Sequence, residues 1–207
     1  MENTEFDKIS YALGMSMGNN FKASGINEID VTDFADGVAA VFSGAKAKMT
    51  YDEAKEVIRQ YFTEMEARQQ AEAAKLGEIN AKAGKEFLAE NGKRAEVKTT
   101  ATGLQYEVIK EGDGAQPAAT DQVEVHYTGK LIDGTVFDQL LPENDKKFPI
   151  SGFVAGFTEG LLLMDKGSSY IFYIPGDLAY GVDGLKQAGI GPNETLVFEV
   201  ELLDIYE

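Results

Sequence analysis

The chain contains 207 residues, with 35 acidic and 19 basic side chains, no cysteine, no tryptophan and one histidine. Its length fits one or two domains, and an apolar fraction of 43% is enough to build a buried core. The lack of cysteine excludes disulfides, thiol catalysis and iron–sulfur ligation, and one histidine excludes a multi-histidine metal site. A net charge of −16 argues against nucleic-acid binding, because phosphates require basic partners.

The sequence shows neither a membrane span nor a secretory leader. No run of about 18 apolar residues is present, so no membrane span is predicted. The first residues, MENTEFDKIS, lack the basic segment followed by an apolar run that is typical of a leader. We therefore expect a cytoplasmic location, with a periplasmic location as the alternative if a leader precedes the given sequence.

Residues 1–92 have the apolar periodicity of helices. A first helix is predicted from about Asp7 to Asn20. A second begins at Asp30 or Thr32, either of which can cap it, and extends to Gly44.

The first predicted helix carries two glycines, Gly14 and Gly18, on one face, flanked by Met15 and Met17. Glycine inside a helix costs about 1 kcal/mol relative to alanine, so the close packing of another backbone is expected to compensate. That backbone belongs either to the same domain or to a second subunit.

A third helix is predicted from the capping box Thr50-x-x-Glu53 to the Asn91-Gly92 pair, a span of about 40 residues. Within it, Glu66–Lys82 consists mostly of Ala, Gln, Glu and Lys and has little to bury. This segment is either a frayed linker or a solvated helical spacer. Helix propensity favours the spacer, although Gly77 and Gly84 weaken it.

From about residue 96 the pattern changes to the alternation of β-strands. The predicted strands are Leu104–Ile109, Gln122–Lys130, Tyr170–Ile174 and Leu196–Leu203. Asp133-Gly134 predicts a hairpin turn, and Gly156–Leu163 predicts a short apolar helix. The predicted fold class of this half is α+β, with an antiparallel sheet and one short helix against it.

Few groups in the second half suggest covalent chemistry. His126 points away from Tyr127 in its predicted strand and has no accompanying G-x-S-x-G turn, so a structural or solvated role is expected. The acidic residues single out no carboxylate pair, and Gly181–Gly191 lacks the Gly-Lys-Ser/Thr of a phosphate loop and indicates a mobile loop. Aromatic residues outside strand cores, such as Phe137 and Tyr180, are more typical of a pocket lining.

Three segments resemble the FKBP-type peptidyl-prolyl cis-trans isomerases, in the family's order and near its spacing. They are Val125–Asp138 (VHYTGKLIDGTVFD), Asp177–Gly181 (DLAYG) and Pro192–Leu203 (PNETLVFEVELL). The first half, including Ser10-Tyr-Ala-Leu-Gly14, is similar to the helical domain of the macrophage infectivity potentiator group of that family.

The resemblance implies three parts: an N-terminal α-helical dimerisation domain over residues 1–48, a long connecting helix over 49–92 and an isomerase domain over 97–207. The last part would be a curved antiparallel sheet wrapped on a short helix. The implied partners are proline-containing polypeptide clients, a second copy of the chain bound through the N-terminal helices, and macrolides of the rapamycin type. No cofactor or metal is expected.

The resemblance also implies the site residues. The catalytic residues are Tyr180, Asp138 and Phe137, and the substrate-binding residues are Tyr127, Val154, Phe157, Ile190 and Phe198. Tyr180 would donate a hydrogen bond from its hydroxyl to the substrate carbonyl and Ile190 a second from its main-chain N–H, while Asp138 would contact the carbonyl carbon or polarise the pocket.

Two departures from the family pattern affect this site. Phe157 stands where the family usually has tryptophan, which implies a slightly smaller pocket floor. Gln139–Asp145 replaces the family's Ser-Ser and basic residue, so Asp138 lacks its usual arginine partner and needs other donors.

The implied activity is rotation about the bond that precedes proline. Loss of amide resonance makes this rotation cost about 18–20 kcal/mol, and an apolar pocket that removes water favours the twisted amide. No nucleophile is needed, which agrees with the composition. A dimeric chaperone clamp with weak or no isomerase activity and a purely structural dimerisation protein are the alternatives.

The acidic charge is concentrated in the second half. Residues 96–207 carry 19 acidic and 7 basic side chains, against 16 and 12 in residues 1–95. Basic or neutral client segments are therefore expected to be favoured.

Overall fold

The computed structural model describes residues 6–44, 46–142 and 146–206. The chain divides into two compact units, residues 1–63 and 64–207, each of which has its own packing. Among the described residues, no helix combines the length and the apolar character needed to cross a membrane.

The first unit contains helix α1 (Lys8–Ala23), helix α2 (Val31–Ser43) and the beginning of helix α3 (Tyr51–Asn91). The carboxylate of Asp30 accepts hydrogen bonds from the main-chain N–H groups of Thr32 and Asp33, so Asp30 is the cap that opens α2.

The predicted capping box at the start of α3 is confirmed. The main-chain N–H of Thr50 donates to the Glu53 carboxylate at 2.7 Å, and the Glu53 N–H donates to the Thr50 hydroxyl at 3.2 Å. These two bonds satisfy donors that would otherwise be orphaned at the helix start.

The first unit leaves its apolar side chains exposed. Neither α1 nor α2 buries a residue, and no other atom lies within 4 Å of a Cβ built on Gly14 or Gly18. The exposed large apolar side chains of α1 and α2 are Ile9, Tyr11, Leu13, Met15, Met17, Val31, Val38, Val41 and Phe42. Within the described part of this unit, therefore, no backbone of the same chain packs against the glycine face.

Helix α3 buries one face in its second half. Residues spaced by three and four positions are buried or half-buried there, which is the period of a helix face. They are Ala73, Gly77, Asn80, Gly84, Phe87 and Asn91. The interpretation of Glu66–Lys82 as a solvated spacer is therefore wrong from Ala73 onward, because small residues allow this face to pack against other residues of the second unit, to which this part of α3 belongs.

The end of α3 is anchored to the sheet by polar side chains. The Asn91 amide donates to the Gln105 side-chain oxygen at 2.9 Å, and the Gln105 amide donates to the main-chain oxygen of Leu88 at 2.9 Å. Both side chains are buried, so these two hydrogen bonds satisfy amide groups that have little access to water.

The second unit is built on seven described strands that pair antiparallel in the order β1-β2-β6-β7-β3-β4, with β5 added to β3. The strands are β1 (Val97–Thr99), β2 (Gln105–Lys110), β3 (Gln122–Leu131), β4 (Val136–Leu140), β5 (Lys147–Pro149), β6 (Ser169–Ile174) and β7 (Leu196–Tyr206). The sequence missed β1 and β5, since three residues are too few to show alternation. It also missed β4, for which only the preceding hairpin turn was predicted, so Phe137 lies in a strand and not outside one as expected.

One face of the sheet packs on helix α4 (Ala155–Leu161). The predicted alternation in β7 is confirmed, with Leu196, Phe198, Val200 and Leu202 buried and Glu199 exposed. The second unit is therefore α+β, with an antiparallel sheet wrapped on a short helix as predicted.

Candidate active site

A cavity of about 340 Å³ lies between β4 and the loop that precedes β7. Strand β4 contributes Phe137 and Asp138, and Tyr180 comes from the turn after β6. The loop supplies the remaining lining residues, which are Leu185, Gln187, Ala188 and Ile190. Four residues that the resemblance implied are thus brought to one cavity by segments far apart in sequence.

Asp138 is held by two donors inside its own unit. The hydroxyl of Tyr127 donates to Oδ2 at 2.8 Å, and the main-chain N–H of Gln139 donates to Oδ1 at 2.9 Å. Burial, and next the bond to Asp138, raise the pKa of Tyr127 well above its usual value, so the hydroxyl stays a donor. The expectation that other donors replace the arginine is confirmed.

Three of the implied substrate-binding residues, Tyr127, Phe157 and Phe198, do not line this cavity but form a cluster of aromatic rings that contacts its wall through Phe137. Phe157, which is 1% exposed, lies with its ring centroid 5.0 Å from that of Phe198 and 5.8 Å from that of Tyr127. The Phe137 ring meets the Phe198 ring edge-on at 5.5 Å. A Cβ at Gly129 would lie within 2.8 Å of both of these rings, so only glycine lets them rest on β3 at this point.

Tyr180 is half-buried at the edge of the cavity. Burial is the main cause that raises its pKa above the usual value, and the negative charge of Asp138 adds to it. The hydroxyl therefore remains protonated at neutral pH and can donate a hydrogen bond to a bound carbonyl.

Ile190 contributes its side chain to the cavity, but its main-chain N–H is already used. That N–H donates to the Leu185 carbonyl at 3.1 Å, and the Leu185 N–H donates back to the Ile190 carbonyl at 2.9 Å. The expectation of a free Ile190 N–H for the substrate is thus wrong, because the loop closes on itself as a small bridge.

Val154 lies at the other side of the aromatic cluster, immediately before α4. Its side chain is partly buried against the core, and its carbonyl accepts the first hydrogen bond of the helix from Thr158 at 3.0 Å. Among the described residues, its main-chain N–H has no acceptor.

Sequence reasoning missed Leu185, Gln187 and Ala188, which line the cavity without any local motif. It also left out Phe153, whose ring stacks on that of Phe157 at 4.5 Å. The aromatic character of Phe153 was visible, but only the fold shows that it meets Phe157. The segment Gly181–Gly191, predicted as a mobile loop, contains the bridge described above and a short 3₁₀ turn.

A second cavity, of about 330 Å³, lies on the sheet face that carries His126 and Glu201. The His126 ring is 17% exposed, and its Nδ1 lies 3.9 Å from the Glu201 carboxylate. Ser169 lines the same cavity, but β7 separates it from His126, and Glu201 is opposite both in register. A serine–histidine nucleophile would need direct contact, so the expectation of no nucleophilic role for His126 agrees with this geometry.

The first cavity is the better functional candidate, because a hydroxyl and a carboxylate converge there on apolar aromatic walls. These groups can bind and polarise a neutral ligand, and the described residues around them include no nucleophile–base pair. The fold and the site thus define a two-part protein with an aromatic binding pocket in an α+β domain.

Comparisons with known proteins agree with this class. Residues 6–108 match the model of the domain amino terminal to FKBP-type peptidyl-prolyl isomerase, and residues 113–203 match that of the FKBP-type peptidyl-prolyl cis-trans isomerase itself. The chain belongs to the FKBP-type peptidyl-prolyl cis-trans isomerases and is an enzyme of that activity. The family, fold and activity predicted from the sequence are confirmed.

Relatives match along nearly the whole chain. A probable FKBP-type isomerase FkpA of Neisseria meningitidis serogroup B is 43% identical, over 95% of this chain and 73% of the relative. The FKBP-type 22 kDa isomerase of Escherichia coli K12 is 40% identical, over 99% of this chain and 100% of the relative. The crystal structure of FkpA from Escherichia coli superposes with a TM-score of 0.74 at 36% identity, covering 99% of this chain and 98% of that chain.

Proposed function

We propose that the cavity lined by Phe137, Asp138, Tyr180 and Ile190 receives the proline ring of the substrate. The observation that carries this proposal is the pairing of an apolar aromatic wall with two polar groups at one rim. A proline ring is apolar and needs such a wall, whereas the adjacent carbonyl needs a donor.

The chemistry assigned to this site is rotation of the amide without a covalent step. Transfer from water into the cavity removes the solvent that stabilises the charge-separated planar amide, so the barrier of about 18–20 kcal/mol falls. Phe137, Phe157, Tyr127 and Phe198 shape the cavity.

The polar groups at the rim have separate roles in the proposal. The Tyr180 hydroxyl donates to the substrate carbonyl, and Asp138, oriented by Tyr127, polarises the pocket or contacts the carbonyl carbon. Val154 offers a main-chain N–H for the second hydrogen bond, in place of the engaged N–H of Ile190.

A protease-coupled assay on a proline peptide tests these roles. We expect Asp138→Ala and Tyr180→Phe to lower kcat/KM, each by about tenfold, since each removes one polar group that faces the bound substrate. His126→Gln, on the opposite sheet face, is the matched control and keeps the wild-type rate. A wild-type rate equal to the uncatalysed rate, or pocket variants as active as wild type, would overturn the proposal.

We also propose that the exposed apolar side chains of the first unit form a homodimer interface. Val41 and Phe42 are 80% and 88% exposed in this chain alone, and a soluble monomer rarely leaves so many neighbouring apolar groups in water. The open glycine face of Gly14 and Gly18 would allow a second backbone to approach closely.

Light scattering tests the dimer. We expect a particle of twice the 22.5 kDa chain mass at micromolar concentration. Leu13→Glu should shift it toward the monomer, because a charge then replaces an apolar contact, whereas Lys8→Glu on the same helix is the control. A wild-type monomer at that concentration would refute the interface.

A dimeric chaperone clamp is the second candidate, and the exposed apolar side chains of the first unit favour it. The two activities are separable with the double variant Tyr180→Phe/Asp138→Ala. If the variant loses isomerisation but still suppresses the aggregation of an unfolded client, the chaperone activity belongs to another surface.

Macrolides of the rapamycin type are proposed ligands of the same cavity. The altered Gln139–Asp145 segment follows Asp138, which lines the cavity, and residues 143–145 lie outside the described part of the chain. Competition between rapamycin and the proline peptide tests this proposal, and activity that a large excess of rapamycin leaves unchanged would contradict it.

The expected cytoplasmic location is not supported by the comparisons. A relative from Legionella longbeachae, 39% identical over 98% of this chain and 86% of the relative, carries the name outer membrane protein MIP. We propose the periplasm as the working compartment. Fractionation of cells that express the full gene tests it, and recovery with cytosolic markers would contradict it.

A further inference from the structure

Helix α3 touches the segment that leads from the candidate cavity into β7. The side-chain amide of Asn80 donates to the main-chain oxygen of Pro192 at 2.9 Å. Pro192 lies two positions after Ile190, which lines the cavity and is 2% exposed. One helix side chain is therefore bonded to the main chain beside the wall of the cavity.

The next residue, Asn193, makes close contacts through its N–H, its side chain and its carbonyl. Its backbone has a φ of +54°, the left-handed region, which an asparagine tolerates better than most residues but which still costs energy. Its N–H donates to the Gly181 carbonyl at 2.7 Å, and its side-chain amide lies 3.4 Å from the Gly77 carbonyl of α3. Its own carbonyl lies 2.6 Å from where a Cβ on Gly176 would be.

The glycines of α3 make this approach possible. A Cβ on Gly84 would lie 2.1 Å from the Thr195 hydroxyl oxygen, and one on Gly77 would lie 3.1 Å from the Asn193 amide nitrogen. Because the first distance is far below van der Waals contact, an alanine at residue 84 forces the helix and the segment apart. The glycines that weaken the helix in isolation are thus needed at its contact with the Pro192–Thr195 segment.

These contacts connect α3 with both walls of the cavity. The Pro192–Asn193 pair follows Ile190 on one side, and the Asn193 N–H fixes the carbonyl of Gly181, which directly follows Tyr180, on the other. A change in the position of Asn193 therefore moves the ends of the whole segment that lines the cavity.

We infer that Asn80 of α3 is a positioning residue for the isomerase site, which acts through Pro192 and Asn193 on Ile190 and Tyr180. The inference rests on the proposed site. The second half of α3 is then a support of the active site as well as a connector, and its small-residue face holds the loop in the conformation that binds substrate.

The expected kinetic signature follows from a population argument. If the loop adopts its substrate-binding conformation for only a fraction of the time, the apparent affinity for substrate is multiplied by that fraction, while kcat of the bound complex does not change. The loss of one partly buried hydrogen bond changes such an equilibrium by about three- to tenfold. Asn80→Ala should therefore raise KM by about three- to tenfold with little change in kcat.

The matched pair of variants is Asn80→Ala and Lys82→Ala in the full chain. Alanine has a higher helix propensity than asparagine, so Asn80→Ala does not weaken α3 itself. Lys82 lies exposed on α3 and keeps wild-type kinetics after substitution. Amide hydrogen exchange of residues 185–191 and 193 provides a second readout, which should speed up in Asn80→Ala and not in Lys82→Ala.

A second pair tests the close approach. Gly84→Ala should raise KM in the same way, although alanine favours the helix. Adding Thr195→Ala removes the hydroxyl that the new methyl group meets, so Gly84→Ala/Thr195→Ala should recover most of the lost affinity. Thermal unfolding of both variants is measured in parallel, because relief of the same overlap would also rescue a loss of folding; an unchanged melting temperature in Gly84→Ala with a raised KM supports the positioning role.

The outcomes separate this inference from the proposed site. Unchanged KM and unchanged exchange in Asn80→Ala would overturn the positioning role, even if Tyr180→Phe lowers activity as expected. A lower kcat with unchanged KM would also overturn it. If Tyr180→Phe and Asp138→Ala have no effect while Asn80→Ala does, the proposed site fails and the support acts on a different one.

Discussion

The hydroxyl of Tyr127 donates a 2.8 Å hydrogen bond to the carboxylate of Asp138 across the β3–β4 pair. The donor and the acceptor come from neighbouring strands, so the carboxylate is fixed by the sheet itself. The Gln139–Asp145 segment lacks the arginine that the family usually places beside this carboxylate, and the expected substitute donor is the Tyr127 hydroxyl. Tyr127 thus orients the charged group of the cavity from the neighbouring strand.

Tyr127→Phe isolates the orienting role. The ring stays and keeps its contacts with Phe157 and Phe198, while the bond to Asp138 is lost. We expect kcat/KM to fall by about two- to tenfold, because the Asp138 carboxylate is exposed and water can partly replace the lost hydrogen bond. Activity on a proline peptide measures this, and a variant as active as wild type would show that Asp138 needs no orientation from Tyr127.

As the pH rises, we expect the activity to stay constant up to the alkaline range in which the free energy of unfolding begins to fall. Burial raises the pKa of Tyr127, Tyr170, Tyr173 and Tyr180, so the folded protein keeps these hydroxyls protonated above the ordinary value of about 10. In the unfolded chain they ionise near that value. The unfolded state then binds fewer protons, and the free energy of unfolding decreases as the pH rises above about 10.

Two measurements check this pH dependence. Urea denaturation at pH values from about 8 to about 11 covers the range in which tyrosine ionises. The free energy of unfolding should fall only above about pH 10. The kcat/KM profile should stay level up to about pH 10, because Tyr180 remains a donor. An activity loss centred below that pH, absent in Tyr180→Phe, would contradict the raised pKa.

Phe157→Trp tests the packing of the pocket floor. The ring of Phe157 touches four aromatic neighbours, which are Tyr127, Phe153, Phe172 and Phe198, and it is almost fully buried. A larger indole overpacks this site, so we expect a stability loss of about 1–3 kcal/mol. The additional change Phe153→Val makes room and should restore much of it.

The tryptophan in these variants reports on its own environment, since the chain otherwise has none. Thermal unfolding followed by fluorescence gives the stability of the single and the double variant. A single variant as stable as wild type would mean that the floor contains space that the observed ring distances do not show.

The acidic charge of residues 96–207 should affect the choice of substrate. We expect a peptide with lysine near the proline to have a higher kcat/KM than one with glutamate, because the domain attracts cations. The difference should shrink as salt is raised to about 1 M, where the screening length falls to about 3 Å. A preference that does not change with salt would indicate direct contacts rather than the long-range field.

Local patterns were sufficient for most of the fold. Caps such as Asp30 and the Thr50–Glu53 box depend on neighbours in sequence, and the long strands β3 and β7 show clean alternation, so each was predictable from nearby residues. The hairpin at Asp133-Gly134 likewise follows from a turn that only a few residue types favour, and Gly134 adopts a positive φ there.

The remainder depended on contacts between distant segments. The N–H of Ile190 is occupied by Leu185 because the loop bridges to itself, which no local motif announces. The buried face of α3 did have a signal, the recurrence of small residues from Ala73 to Gly84. This signal was not recognised from composition, because glycine lowers helix stability and its benefit for packing becomes clear only when a partner such as Thr195 is known.

The most direct test of the central claim, that the pocket rotates the amide without a proton transfer or a covalent step, is the solvent deuterium isotope effect on kcat/KM. Exchange measurements on a proline peptide in H₂O and D₂O give it without a coupled protease. We predict a ratio of about 1, because no proton is transferred to or from Tyr180 or Asp138 and only a torsion changes. A ratio of about 2 or more would show that a proton moves in the rate-limiting step and would contradict the mechanism.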